Sequence, residues 1–284
     1  MLVTTKEMLQ KAYKGHYAVP AINTQGGTYD IIHAICVAAE ETKSPIILAH
    51  YLGTGRYSGN DWFVETSKWM ANRVRVPVAI HLDHGDTFEH CMELLKLGCT
   101  SIMFDGSALP VEENAARTNE IIRVCHAFGV PVEAEIGELA RLDDSGNISG
   151  NSNMADPKSV RRYLELCSPD SLAIGIGNAH GFYKGPVNIQ FEILEECRKF
   201  TDIPFVLHGC TGMEETQVRR SIDYGVAKIN FGTQVRCQYI NHLKEGLRAG
   251  IDEGHAWKLS AFAEKKLRQD IKKIIALAGS GGKA

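Results

Sequence analysis

The feature that most restricts the fold of this chain is an alternation that starts at Tyr17 and repeats as far as the segment after Phe231. A short apolar or β-branched run, read as a buried strand, is followed each time by a longer segment with apolar residues near helical spacing. Strands are predicted at 17–23, 45–50, 76–83, 101–105, 130–137, 171–177, 205–209 and 227–231. Helices are predicted at 27–42, 61–73, 87–97, 111–128, 157–167, 188–200, 214–224 and 234–248, with a last basic amphipathic helix at 262–277. Eight such units in 284 residues predict an α/β fold: a (β/α)8 TIM barrel with an additional C-terminal helix, in a single domain spanning 1–284. A doubly wound sheet is the competing architecture, disfavoured because no Gly-x-Gly-x-x-Gly follows the first strand. The rhythm breaks at 138–156, which is rich in Gly, Ser, Asn and Asp and reads as a lid or binding loop.

Composition narrows the partners. The net charge of −3, with Lys and Arg spread along the chain, gives no basic groove for nucleic acid and no membrane-binding face. No apolar run is long enough to cross a bilayer, and the N-terminus lacks a secretory pattern. The eight cysteines form no Cys-x-x-Cys and lie in core-like segments, as expected of small buried thiols in a reducing cytoplasm.

In a barrel all strand C-termini converge on one rim. His84 ends the third predicted strand, His180 lies just past the sixth, and His208 ends the seventh, each followed by glycine. Three imidazoles at one mouth match a catalytic metal site with a position left open for substrate. Asp83 precedes His84 as a candidate acid/base, His81 shares its parity and reads as a core group, and His50, at the mouth of strand two, is ambiguous. Two loops have anion-binding character. Gly209-Cys210-Thr211-Gly212 and Asn230-Phe231-Gly232-Thr233 each lead into a helix, where backbone amides attract phosphate, and Lys184 adds charge nearby.

These residues resemble a known family, the class II, zinc-dependent ketose-bisphosphate aldolases of the tagatose/fructose-bisphosphate type. The resemblance spans nearly the whole chain and is carried by His81-Leu82-Asp83-His84-Gly85, Phe104-Asp105-Gly106-Ser107, Val132-Glu133-Ala134-Glu135-Ile136-Gly137, the stretch from Ser171 through His180-Gly181, Val206-Leu207-His208-Gly209 and Lys228-Ile229-Asn230. It implies Zn2+ on His84, His180 and His208, with Na+ or K+ as an optional companion, and Asp83 as the catalytic acid/base. It places Gly181, Gly209, Cys210, Thr211, Asn230, Phe231, Gly232 and Thr233 around a dihydroxyacetone phosphate moiety, with Asn23 also facing substrate. An acidic residue of the long loop, Asp143 or Asp144, would exchange the proton of the enediolate carbon. The partners implied are a phosphorylated sugar and copies of the chain itself, as a homodimer or homotetramer.

The chain departs from the family pattern in four places. Gly209-Cys210-Thr211 stands where relatives usually have Gly-Ala-Ser, and Ala140-Arg141-Leu142 precede Asp143-Asp144 where they tend to show Gly-Gly and then Glu. His50 replaces a small residue near the distal phosphate, and Ala256-Trp257-Lys258 stands near a missing Asp-Pro-Arg. The departures put any change of specificity at the aldehyde end. A metallohydrolase would carry His-x-His where this chain has His81-x-Asp83, and a Schiff-base aldolase would end strand six in lysine. A non-catalytic partner subunit would have lost ligands that are all present here.

Overall fold

The computed structural model describes residues 1–142, 148–149, 154–183 and 187–284, with 140–142 and 148–149 described by backbone alone. In chain order the strands are β1 (Val19–Asn23), β2 (Ile46–His50), β3 (Val78–Gly85), β4 (Ser101–Phe104), β5 (Val132–Ile136), β6 (Ala140–Leu142), β7 (Ile148–Ser149), β8 (Ser171–Ile174), β9 (Ala179–His180), β10 (Phe205–Leu207) and β11 (Val226–Phe231). Eight of them close a parallel barrel in the order β1-β11-β10-β8-β5-β4-β3-β2. Each of the eight predicted strands is one of its staves, so the TIM barrel expected from the alternation is the fold observed.

Register assigns the two faces of every strand. Ala21 pairs with Asn230 and with Ile47, Ala49 with His81, His81 with Ser101, Met103 with Glu133, Glu133 with Ser171, and Val206 with Lys228. Partners in a parallel ladder share a face, and this set lines the interior. The alternate set includes Ile22, Leu48, Leu172, Ile174, Leu207 and Ile229, which join one apolar cluster under the surrounding helices. Ile80, Leu82, Ile102 and Phe104 do the same in a second.

The N-terminal mouth is closed by a helix that the alternation did not announce. Thr5–Lys14 buries Met8, Leu9 and Ala12 against Val19, Ala21, Ile47, Ala79 and Ala227. The alanines among these inward residues leave room for the larger side chains of the helix, which plugs the barrel from below. The C-terminal helix, predicted at 262–277, runs longer, over Ala256–Ala278. A second unannounced helix, Leu52–Ser58, follows β2.

The predicted loop 138–156 carries structure at its described ends. β6 pairs antiparallel with β7 and parallel with β9, in register Arg141↔His180. No helix among the described residues is long and apolar enough to cross a membrane. Seven of the eight cysteines are buried, and Cys237 alone is partly exposed.

Candidate metal centre and phosphate loops

His84, His180 and His208 come from three separate strand ends and converge. One nitrogen of each lies within 4.8 Å of the others, and the rings stand edge to face with centroids 4.7–6.0 Å apart. Local backbone makes this possible. His84 sits at φ 54°, in the left-handed region that a non-glycine residue enters only at a cost of about 1–2 kcal/mol. Gly209 has φ +67°, and a Cβ there would fall 2.3 Å from the carbonyl oxygen of Ala179, so only glycine lets the end of β10 press against β9. His180 is held from the other side by the pairing of β9 with β6.

The partners of the His84 ring fix which of its nitrogens faces the centre. Nδ1 of His84 lies 2.7 Å from Oδ2 of Asp105, while its Nε2 is buried with no hydrogen-bond partner among the described residues. Burial alone would push this imidazole down, but Asp83 and the hydrogen bond to Asp105 outweigh it and lift it to about 10. Site carboxylates therefore draw positive charge to His84. For Asp105, burial is outweighed by the hydrogen bond and charge of His84 and by Ser107, and the carboxyl is held below its ordinary value. Glu135 is pushed well above the carboxylate range by burial and by Asp105. His208 is held well below its usual value by burial, His84 and Lys228. These donors fit a divalent ion. A second group, His84 with Asp105 and Glu135, overlaps the first through the shared imidazole.

Asp83 lies between the rings, its Oδ1 3.9 Å from Nε2 of His84 and 3.8 Å from Nδ1 of His208. It accepts a hydrogen bond from Nδ2 of Asn230 at 3.1 Å. The predicted anion loops meet beside it. Oγ1 of Thr211 accepts from the backbone N–H of Gln234, joining the loop after β10 to the helix Thr233–Arg248 after β11. Gly232 caps that helix without any side-chain cap, and a Cβ on it would lie 3.7 Å from Cβ of Asn23. The first-turn amides are thus placed at the rim where an anion is favoured. Cys210 and Phe231 are buried, and Sγ of Cys210 contacts the carbonyl of Leu207, so these two can offer a ligand only their backbone. Asp143, Asp144 and Lys184 lie outside the described residues.

His50 resolves against a rim role. It is fully buried, its Nε2 is 3.0 Å from Oδ1 of Asn60, its Nδ1 is 3.3 Å from Oγ1 of Thr54, and it stacks on Phe63 at 4.2 Å. Trp257 is exposed and Lys258 is ion-paired with Glu253. What the sequence reading missed is acidic: it gave no role to Asp105, Glu133 or Glu135. The signal was present in Val132-Glu133-Ala134-Glu135-Ile136, where alternate carboxylates on a barrel stave must point into the barrel.

Comparison with known proteins shows the family. The family model "Fructose-bisphosphate aldolase class-II" matches residues 3–283. A Bacillus subtilis (strain 168) protein named "Probable fructose-bisphosphate aldolase" is 39% identical over 273 residues, covering 95% of each chain. The crystal structure of the YdjI aldolase from Escherichia coli K12 superposes with a TM-score of 0.88 at 30% identity, over 100% of both chains. The fructose-bisphosphate aldolase structure from Campylobacter jejuni, 22% identical with a TM-score of 0.84 over 100% of this chain and 97% of that one, shares the fold.

Proposed function

We propose, from the premise that this chain belongs to the class II fructose-bisphosphate aldolase family, that it cleaves a phosphorylated ketose reversibly into dihydroxyacetone phosphate and an aldehyde. The proposed metal is zinc, held by His84, His180 and His208. The observation that carries this reading is the meeting of three imidazoles from three strand ends, with the Nε2 of His84 buried beside Asp83 and without a hydrogen-bond partner among the described residues. When bound there, zinc supplies positive charge against the electron pair released as the C3–C4 bond of the ketose breaks.

The rest falls to the chain's own residues. Asp83, steadied by Asn230, takes the proton of the C4 hydroxyl in cleavage and returns it in condensation. The backbone of the Gly209–Gly212 and Gly232–Thr233 turns holds the phosphate, with Gly181 and Asn23 lining the same half of the site and Lys184 adding charge. Asp143 or Asp144 exchanges the proton on the enediolate carbon. We place the activity in the cytoplasm, in one domain of a homo-oligomer, with no nucleic-acid or membrane partner.

The test is release of dihydroxyacetone phosphate from fructose and tagatose 1,6-bisphosphates and from ketose 1-phosphates, with and without chelator. Zinc-dependent release is expected. Cleavage by the chelated chain, or a borohydride-trapped adduct on lysine, overturns the reading.

One observation favours a ketose 1-phosphate over a bisphosphate. At the end of β2, where relatives place a small residue near the distal phosphate, stands an imidazole whose two nitrogens are already taken by Asn60 and Thr54. A kcat/KM for either bisphosphate more than about a hundredfold above that for the matching 1-phosphate, about 2.7 kcal/mol of transition-state binding, rules this second reading out.

A further inference from the structure

Below the histidines the barrel interior is polar, where branched apolar side chains ordinarily fill such a core. Lys228, Glu133, His81 and Ser101 are buried together there. Their hydrogen bonds run in one direction only. Asp83 accepts from Nδ2 of Asn230, which fixes the orientation of that amide, since turned over its carbonyl would face a carboxylate. The same NH2 group lies 3.2 Å from Nδ1 of His208, so Nδ1 presents its lone pair and the ring proton is on Nε2. Nε2 donates to Oε1 of Glu133 at 3.0 Å. Lys228 grips both oxygens of that carboxylate, at 2.9 and 2.8 Å. Its Nζ also lies 3.2 Å from Nε2 of His81, which must therefore accept. The His81 proton is then on Nδ1, 2.8 Å from Oγ of Ser101, and Thr5 closes the series by donating to the same Oγ at 2.9 Å.

We propose that the buried Lys228–Glu133 pair is the positioning device of the metal centre: it holds the His208 proton on Nε2 and leaves Nδ1 as the ligating atom. The inference rests on the assignment of His208 as a metal ligand made above. Its physical basis is the asymmetry of imidazole. A neutral ring has one donor and one acceptor, and the partner of the first decides where the second points. A carboxylate gripped at both oxygens can only accept, so the ring has no alternative tautomer in this site. The lysine offsets the desolvation of the carboxylate and stops it from turning. Lys228 and Glu133 thus act through His208 and touch no reacting atom.

Two measurements test this. In the metal-free chain labelled with 15N-histidine, His208 should show a protonated Nε2 and a bare Nδ1. Glu133→Gln puts an NH2 donor in place of one acceptor and should populate the opposite tautomer. It should also raise the Co2+ dissociation constant, read by chelator competition, by about 10–100-fold. The double variant Glu133→Leu/Lys228→Met removes the pair without leaving a lone buried charge, and should remain folded while losing affinity to the same extent. A protonated Nδ1 in the wild-type chain overturns the proposal even if neither variant folds. So do folded variants that keep the wild-type tautomer and affinity. A wild-type chain that binds no Co2+ instead sinks the metal centre, and this inference with it.

Discussion

Strands β2 and β3 are neighbours in the barrel, and each carries a histidine at its rim end, yet the two imidazoles have opposite fates. His84 is surrounded by Asp83, Asp105 and Glu135, keeps one nitrogen without a hydrogen-bond partner among the described residues and is lifted to about 10. His50 is stacked on Phe63 between two neutral partners and is pushed down to about 4, chiefly by burial. Strand geometry delivers both to the same rim, and the company each keeps decides what it can do. Carboxylates turn one into a site for positive charge. An amide, a hydroxyl and an aromatic face turn the other into a peg that fastens the helices Leu52–Ser58 and Asn60–Ala71 to the barrel.

The contrast can be broken in several ways, and the largest effect should come from the proposed ligand. His84→Ala should lose bound zinc and drop activity to the background of the chelated chain, whereas His50→Gln should keep its zinc, both read by elemental analysis and turnover. Equal metal loss in the two would erase the distinction. Next is Asp83→Ala, expected to retain metal while turnover falls by about 10²–10⁴-fold. Near-normal turnover would move the acid/base role to another residue.

A smaller effect sharpens the other side of the comparison. Because the folded pKa of His50 is below its ordinary 6.5, at about 4, the unfolded chain binds more protons between those values. Stability should therefore fall as the pH drops from about 6.5 towards 4, by about 3 kcal/mol from this group. Denaturant melts of wild type and His50→Gln at pH 7 and pH 4.5 should show a steeper acid loss in the wild type. Parallel losses would mean that His50 is not the group responsible. The smallest effect is expected from Asn60→Ala, which leaves one ring nitrogen of His50 without its partner and should cost about 1–3 kcal/mol with zinc content unchanged.

Much of this was readable from the chain. The eight staves announce themselves as β-branched runs, and His84, His180 and His208 stand out because each is a polar residue followed by glycine at the end of one or, for His180, just past it. The Thr5–Lys14 helix was missed because it precedes the repeat and belongs to no strand–helix unit. The polar interior was missed for a different reason. Glu133 owes its place to Lys228, His81 and His208, which lie far from it in sequence and reach it only when the barrel closes. Local pattern reads Val132–Ile136 as a strand with one wet face, and closure turns that face inward. His50 shows the converse, since nothing near it in sequence says that Asn60 and Thr54 will occupy it.

The burial of the cysteines has a practical consequence. The thiols of Cys36, Cys125, Cys197 and Cys210 are pushed up to about 12, and that of Cys167 to about 11, by burial above all. Cys91 and Cys99 are raised further by the same cause. At neutral pH these seven are poor nucleophiles, which leaves Cys237, partly exposed and early in the helix that begins at Thr233, as the natural attachment point for a dye. A fluorophore placed there without any mutation would sit close to the proposed phosphate loop and give an optical readout of ligand arrival.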